Sequence, residues 1–435
     1  MTKRVAATTV GCKVNLYDTQ AVLQRFVEQG YEVADFASDA DVYIVNTCSV
    51  TNIADKKSRQ MIRRAKSRGG IVVAMGCAVQ ADGVRFAEIG VDIVVGTAER
   101  GRIVDFVERF IQDSVKIEHI VDISAETDFE DAFVEQIDGR TRAFLKIQDG
   151  CDNFCAYCIV PHVRGRPRSR PVADVLAQAR HFADAGRKEI VVAGIHVASY
   201  GKDLGEGNGA LLAMLKEICG LSGVERVRLS SVEPGVITPD FLDFAAANPK
   251  FCDHLHLSLQ SGSDRILKLM NRKYTTGEYA NAVEKLRMTM PEISITTDII
   301  AGFPGETDDD HKQTMAFVED LGLCGLHVFP FAAKAGTAAA DMPGQLAGNI
   351  KQSRAAELVA LGKRLTDVRY AGYVGKTVAV LVEERKAGLF VGKTTNYLSV
   401  GFESDRDLTN TIVGMKIESQ RGDMLFGQPG VVICG

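Results

Sequence analysis

The stretch Ala143-Phe-Leu-Lys-Ile-Gln148-Asp-Gly-Cys151-Asp-Asn-Phe-Cys155-Ala-Tyr-Cys158 runs from a short apolar segment straight into three thiols within one loop. Residues 143–148 read as a strand. Thiols at CxxxCxxC spacing can hold three irons of a cubic iron-sulfur cluster and leave the fourth without a protein ligand. An open iron can bind substrate. His162 follows at a distance that would complete a Cys3His zinc set, so zinc is the competing reading of this loop taken alone.

Beyond the loop, strand-like runs recur at 190–195, 224–230, 254–259, 293–300 and 325–331, with helical periodicity in the gaps, notably 172–185, 210–219, 279–288 and 311–321. Six strands alternating with helices predict a parallel β/α barrel that falls short of eight strands and is therefore open, a (β/α)6 partial TIM barrel. Active sites of such barrels lie at the carboxyl ends of the strands. The polar residues placed there are Gly194 and His196, Ser231 and Glu233, Ser258 and Gln260, Asp298, and the turn Gly302-Phe-Pro-Gly305-Glu-Thr307. Glu233 and Gln260 are the favoured ligand contacts. His254, His256 and His327 alternate with apolar residues and read as satisfied inward-facing groups.

Upstream, apolar runs at 5–10, 42–45, 71–75 and 91–95 alternate with helical segments at 17–29, 54–68, 80–88 and 102–111, which predicts a second parallel α/β layer. Cys12, Cys48 and Cys77 each fall just past a strand, in Gly-Cys-Lys-Val-Asn, Asn-Thr-Cys-Ser and Met-Gly-Cys-Ala. All three should project from the ligand-binding edge of the sheet and form a second cluster site. The acidic, weakly periodic residues 116–140 read as a linker, with one strand possible in 117–123. From about Val374, short alternating strands at 376–382, 389–391, 397–402 and 412–417 predict a small antiparallel β-barrel, in which Tyr397 and Phe402 are candidates for stacking on bases. The expected division is 1–115, 116–140, 141–372 and 373–435.

Composition fits a globular chain: 435 residues, 46% hydrophobic and 25% charged. Ten cysteines without a secretory signal point to metal or redox chemistry rather than a disulfide framework. Met1 to Arg4 is basic, but the following apolar run is too short and polar for a signal peptide, and no run approaches a membrane span, so a cytoplasmic protein with no membrane contact is expected. A net charge of −5 gives no global attraction to polyanions. Local charge can supply it: Arg164, Arg166, Arg168 and Arg170 alternate with small residues just after the cysteine loop and are the candidate RNA-phosphate contacts, with a second basic cluster from Lys56 to Arg68.

These motifs, together with Leu229-Ser-Ser-Val-Glu-Pro234, Leu257-Ser-Leu-Gln-Ser-Gly262 and Thr297-Asp-Ile-Ile-Ala-Gly-Phe-Pro-Gly-Glu-Thr307, occur in the order seen in radical S-adenosylmethionine (SAM) methylthiotransferases, which the chain resembles over nearly its whole length. The segment Ala193-Gly-Ile-His-Val-Ala-Ser-Tyr-Gly-Lys-Asp-Leu204 is similar to the MtaB-like branch, which acts on N6-threonylcarbamoyladenosine beside the tRNA anticodon. Two segments depart from the family pattern, Phe331-Ala-Ala-Lys-Ala-Gly-Thr337 and Val95-Gly-Thr-Ala-Glu-Arg100, and neither contains a candidate iron ligand. The resemblance implies two 4Fe-4S clusters and SAM as cofactors. Cys151, Cys155 and Cys158 would hold the radical-generating cluster, and Cys12, Cys48 and Cys77 an auxiliary one that carries or donates sulfur. Phe154, Tyr157, Gly194, Glu233, Ser258 and Gln260 would contact SAM. A tRNA anticodon loop, an electron donor such as flavodoxin or ferredoxin, and a sulfur source are the implied partners, and the tail's position resembles that of an RNA-binding TRAM domain. Competing expectations are methylthiolation of isopentenyladenosine in tRNA or of a ribosomal-protein aspartate, and, from another class, a non-catalytic iron-sulfur RNA-binding redox sensor.

Overall fold

The computed structural model describes residues 2–130, 133–135 and 141–434. The remainder of the expected linker, 131–132 and 136–140, lies outside the described residues.

The amino-terminal layer is a six-stranded, wholly parallel sheet built from β1 (Arg4–Thr9), β2 (Glu32–Ala34), β3 (Val42–Thr47), β4 (Ile71–Gly76), β5 (Ile93–Val95) and β6 (Ile117–His119), in the order β2-β1-β3-β4-β5-β6. The four expected strands are its centre. They are continuous apolar runs because helices cover both faces, and β3 is buried at every position. The two flanking strands are short and more polar. The helix expected at 80–88 is instead two pieces, α3 (Cys77–Ala81) and Gly83–Glu88, because Asp82 leaves the helical conformation and caps the second piece by accepting a hydrogen bond from the Arg85 N–H. The other two helices used below are α1 (Lys13–Glu28) and α2 (Asn52–Lys66).

The central unit has the six expected parallel strands: β7 (Arg142–Asp149), then β9 (Glu189–Gly194), β10 (Arg226–Leu229), β11 (His254–His256), β12 (Ser294–Ala301) and β13 (Leu326–Pro330). A two-residue antiparallel strand, β8 (Arg168–Ser169), also covers the free edge of β7. The β10/β11 seam is thin, held by the isolated bridges Val227–Phe251 and Val232–Leu257. The barrel does not close between β7 and β13. Leu255, Leu257, Ile295 and Ile299 pack outward into the large core beneath the helices. By the two-residue period of a strand, His254, His256, Asp298, His327 and Phe329 face the lumen.

The amino-terminal layer covers the open side. Helix α1 packs against β7 and β9, and on the other side the Lys334 ammonium, in the loop after β13, donates to Asn52 Oδ1 at the start of α2 (2.8 Å). The carboxy-terminal unit is a closed barrel of β14 (Thr377–Lys386), β15 (Leu389–Thr394), β16 (Ser399–Phe402), β17 (Ile412–Arg421) and β18 (Met424–Cys434), in the order β14-β15-β16-β18-β17. Four of its five pairings are antiparallel and β16/β18 is parallel. Strand β18, unforeseen from sequence, closes the barrel.

This small barrel docks under the larger one through arginines that donate to backbone carbonyls. Arg226 reaches the oxygens of Lys393 (2.9 Å) and Ala379 (3.0 Å), and Arg228 reaches those of Thr395 (2.8 Å) and Thr394 (3.2 Å). The Arg226→Ala substitution leaves two carbonyls at a buried interface without donors. It should weaken docking by about 1–3 kcal/mol, measured as faster limited proteolysis between the long helix Gly348–Ala371 and β14.

Candidate functional site

Two thiol trios face the space between the layers. The first occupies the loop after β7. Gly150 opens it at φ +74°, and any Cβ there would lie 1.9 Å from the Arg166 carbonyl oxygen, so only glycine fits. Phe154 also lies in the left-handed region (φ +46°). The conformation is fixed from outside: Asn271 Nδ2 donates to the Phe154 (2.9 Å) and Asn153 (3.3 Å) carbonyls, and Ala156 N–H donates to the Met270 carbonyl (2.9 Å). Burial, reinforced by the neighbouring thiols, pushes Cys151 up to about 11 and Cys158 up to about 12. Arg272 donates to Cys155 Sγ (3.4 Å) and pairs with Glu233 (2.9 Å). Glu233 also accepts from Asn153 Nδ2 (3.3 Å) and lies 3.6 Å from His196 Nε2. Although burial opposes ionisation, His196 and Arg272 hold the Glu233 carboxyl below its ordinary range.

The second trio is assembled from three strand ends. Cys12 caps α1, Cys48 follows β3, and Cys77 opens α3 after β4. Gly11 (φ +117°) gives them room, since a Cβ would come within 3.0 Å of Cys48 Sγ. Burial, then the Cys77 and Cys12 thiols, raises Cys48 to about 12. Arg164 is the cation here: its Nε donates to Cys77 Sγ (3.2 Å) and its Nη2 to Asn15 Oδ1 (2.6 Å). It belongs to a buried network in which Asp18 and Asp149 each pair with Arg164 (2.9 Å) and Lys146 (2.7 and 2.6 Å), and in which Arg100 contacts Asp18 and Glu130. This network joins the two layers.

Each trio therefore brings three thiols together beside one arginine, with burial pushing Cys12, Cys48, Cys151 and Cys158 up, which suits a group that is cationic at its metal atoms and takes thiolate ligands. Among the described residues, the one set of three His, Cys or carboxylate groups whose ligand atoms all lie within 4.8 Å of one another is His256, Asp298 and His327. Neither trio draws in around a single ion, and His162 is exposed with its ring against Phe154 (5.9 Å). A cube with iron at several corners spreads its thiolates further apart than one zinc does, so the donor sets fit clusters better than zinc.

Of the six expected SAM contacts, Glu233 lies against the cysteine loop. Gly194 sits over Gln148, where a Cβ would meet its side chain at 3.1 Å. The half-buried Tyr157 phenol lies 3.5 Å from Arg272. Phe154 is 56% exposed at the mouth of the site. Gln260, at φ +71°, exchanges backbone hydrogen bonds with β12, and Ser258 donates its N–H to the Val232 carbonyl, across the barrel seam. The arginine run requires a correction. Arg164, Arg168 and Arg170 are 1%, 4% and 1% exposed, held by Asp18, Asp149, the Arg164 carbonyl and the Tyr17 hydroxyl, so they cannot reach RNA phosphates, and only Arg166 is exposed. The basic face of α2, with Lys56, Lys57, Arg63, Arg64 and Lys66, does remain exposed. Phe402 is core, and Tyr397 turns inward to stack on His254 (4.7 Å). Arg272 and Asn271 were missed. They sit in a polar tetrad, Asn271-Arg-Lys-Tyr274, that carries no local signal of the loop they hold.

An open parallel barrel that presents a CxxxCxxC loop at the carboxyl end of its first strand is the architecture of a radical SAM enzyme. Residues 145–318 match the Radical SAM superfamily, and residues 4–96 match the Uncharacterized protein family UPF0004. The chain is 41% identical over 422 residues to the threonylcarbamoyladenosine tRNA methylthiotransferase MtaB of Bacillus subtilis (strain 168), covering 95% of this chain and 93% of that one. It is 34% identical to MtaB of Chlamydia pneumoniae (96% of each chain), and 33% identical to the tRNA-2-methylthio-N(6)-dimethylallyladenosine synthase of Acetivibrio thermocellus (98% and 90%). Among solved structures, the radical SAM methyltransferase TsrM of Kitasatospora setae shares the fold at a TM-score of 0.57 and 13% identity, over 78% of this chain and 75% of that one.

The chain belongs to the radical SAM methylthiotransferase family. It is an enzyme, and its cofactors are SAM and 4Fe-4S clusters. A sensor without turnover is thereby set aside. No helix among the described residues is long and apolar enough to cross a membrane.

Proposed function

We propose that the enzyme places a methylthio group on carbon 2 of N6-threonylcarbamoyladenosine beside the anticodon of tRNA. The observation that carries this reading is the 41% identity, along nearly the full length of both chains, to a relative named for that nucleoside. In this reading Cys151, Cys155 and Cys158 hold the cluster that binds SAM, and Cys12, Cys48 and Cys77 hold the auxiliary cluster. When bound, the first cluster would supply the electron for reductive cleavage of one SAM to the radical that removes the hydrogen of carbon 2, the second would supply the sulfur, and a further SAM would donate the methyl group.

The chain's own side chains then have separable tasks. Arg272, Glu233, His196 and Asn153 form one hydrogen-bonded set beside the loop and orient the polar end of SAM. Tyr157, Gly194, Ser258 and Gln260 shape its remaining contacts, and Phe154 shields the mouth from water. Residues 1–115 carry the auxiliary site, 141–372 the radical site, and 373–435 the TRAM-like unit, with 116–140 as the connection. The exposed basic face of α2 and Arg166 take over the phosphate contacts first assigned to the buried arginines. The target base must be presented from a loop, since carbon 2 of a stacked, paired adenine is out of reach. A soluble electron donor, a sulfur source and a cytoplasmic location complete the proposal.

The 33% identity to a dimethylallyladenosine synthase supports the second reading, in which the nucleoside carries an apolar prenyl group. A nucleoside digest of tRNA from a strain lacking this gene separates them. Loss of the methylthio form of threonylcarbamoyladenosine is expected; its persistence in a strain without a second such enzyme, with loss of the prenylated form, would overturn the assignment.

A further inference from the structure

Lys13 is adjacent in sequence to the auxiliary ligand Cys12, and its side chain has an unusual setting. It is exposed, yet it stands inside the molecule, near the Tyr397 phenol and the charged groups of Arg142, Arg228 and Glu189. Solvent reaches it because the barrel lumen is hollow: the lumen-facing His327 and Phe329 are likewise exposed. The thiol loops line this chamber above, and the hairpin of the small barrel that carries Tyr397 closes it below, against His254.

The cations at this floor differ in one respect. Arg142 pairs with Glu383 (2.8 Å), Arg228 pairs with Glu189 (2.7 Å), and Lys393 donates to Ser399 Oγ (2.7 Å) while lying over the Tyr397 ring (4.6 Å). Lys13 has neither an ion-pair partner nor a side-chain hydrogen bond among the described residues. Counting the groups that face one another, five cations (Lys13, Arg142, Arg226, Arg228, Lys393) meet three carboxylates (Glu189, Asp253, Glu383), and the floor is positive. An unpaired ammonium within low-dielectric walls favours an anionic guest and penalises an apolar one.

We infer that Lys13 is the specificity-determining residue that receives the carboxylate of the N6 substituent of the target nucleoside. The inference rests on the nucleoside assignment proposed above. A threonylcarbamoyl group carries a carboxylate and a dimethylallyl group carries none, so this ammonium would discriminate between the two substrates that divide the family's names. An RNA backbone phosphate is the other anion that could reach it.

The test compares anticodon stem-loop RNAs carrying threonylcarbamoyladenosine as the free acid or as its methyl ester, with reconstituted wild-type, Lys13→Met and Lys13→Arg enzymes. The wild type should prefer the acid by about 10- to 100-fold in kcat/KM, the worth of one charge-assisted hydrogen bond. Lys13→Arg should keep most of that preference and Lys13→Met should lose it. The ratio within one preparation does not depend on how much of the protein is folded. A wild type indifferent to the ester, or a Lys13→Met enzyme that keeps the wild-type ratio while losing rate on both RNAs, as a phosphate contact would, overturns the inference. A wild type that modifies neither RNA but does modify a dimethylallyladenosine stem-loop overturns the nucleoside assignment instead.

Discussion

Replacing Cys151, Cys155 or Cys158 with alanine is expected to abolish both the release of 5′-deoxyadenosine and methylthiolation, whereas replacing Cys12, Cys48 or Cys77 should abolish methylthiolation while SAM cleavage continues. The asymmetry follows from position. The loop of the first trio is in direct contact, through Cys155 and Asn153, with the Arg272–Glu233–His196 set, the groups available to orient SAM. The second trio lies across the chamber on the amino-terminal sheet, and its nearest cation is Arg164. Losing a partner outside the ligand set typically costs metal sites 10- to 100-fold, so loss of a ligand itself should lower the affected step by more than about 100-fold. Chromatographic assay of 5′-deoxyadenosine and of the modified nucleoside in the same reaction checks this. Equal loss of both products in the two sets of variants would refute the division of labour.

Arg164→Met should be the most damaging single change outside the cysteines. Arg164 is 1% exposed and donates to two carboxylates, an amide oxygen and a thiol drawn from both layers. Removing it leaves Asp18 with Lys146 and Arg100, and Asp149 with Lys146, Arg168 and the more distant Arg100, and breaking a buried pair in this way costs about 3–5 kcal/mol. Lysine should not rescue it, because one ammonium cannot reproduce the planar fork that spans these partners. The expected readouts are a lower urea midpoint and loss of iron from the auxiliary site with the radical site retained. A variant of wild-type stability with full iron content would contradict the role given to this residue.

The extent to which sequence foretold these features varies with the range of the interactions that set them. The cysteine loop was legible because its chemistry is local spacing, and the strand-end thiols because apolar runs located β1, β3 and β4 and the parallel topology set their carboxyl ends on one edge. The strands that escaped are those whose burial depends on distant partners: β2 is three residues long with an exposed face, and much of β18 is exposed. The arginines after the cysteine loop failed for a related reason. Arg164, Arg168 and Arg170 alternate with small residues as a phosphate-binding strand would, and the countercharges that bury the first of them, Asp18 and Asp149, stand 146 and 15 residues away. Arg272 and Lys13 were invisible as site residues because nothing in a single charged side chain reveals that a chamber surrounds it.

The central claim is that two thiol trios each hold a cluster on one chamber, and counting iron and sulfide tests it most directly. Anaerobically reconstituted wild-type chain should carry about eight irons and eight sulfides, and each triple-alanine variant, Cys151/Cys155/Cys158 or Cys12/Cys48/Cys77, about four of each. A fully loaded wild type with four or fewer irons, or a triple variant that keeps the wild-type content, would contradict it.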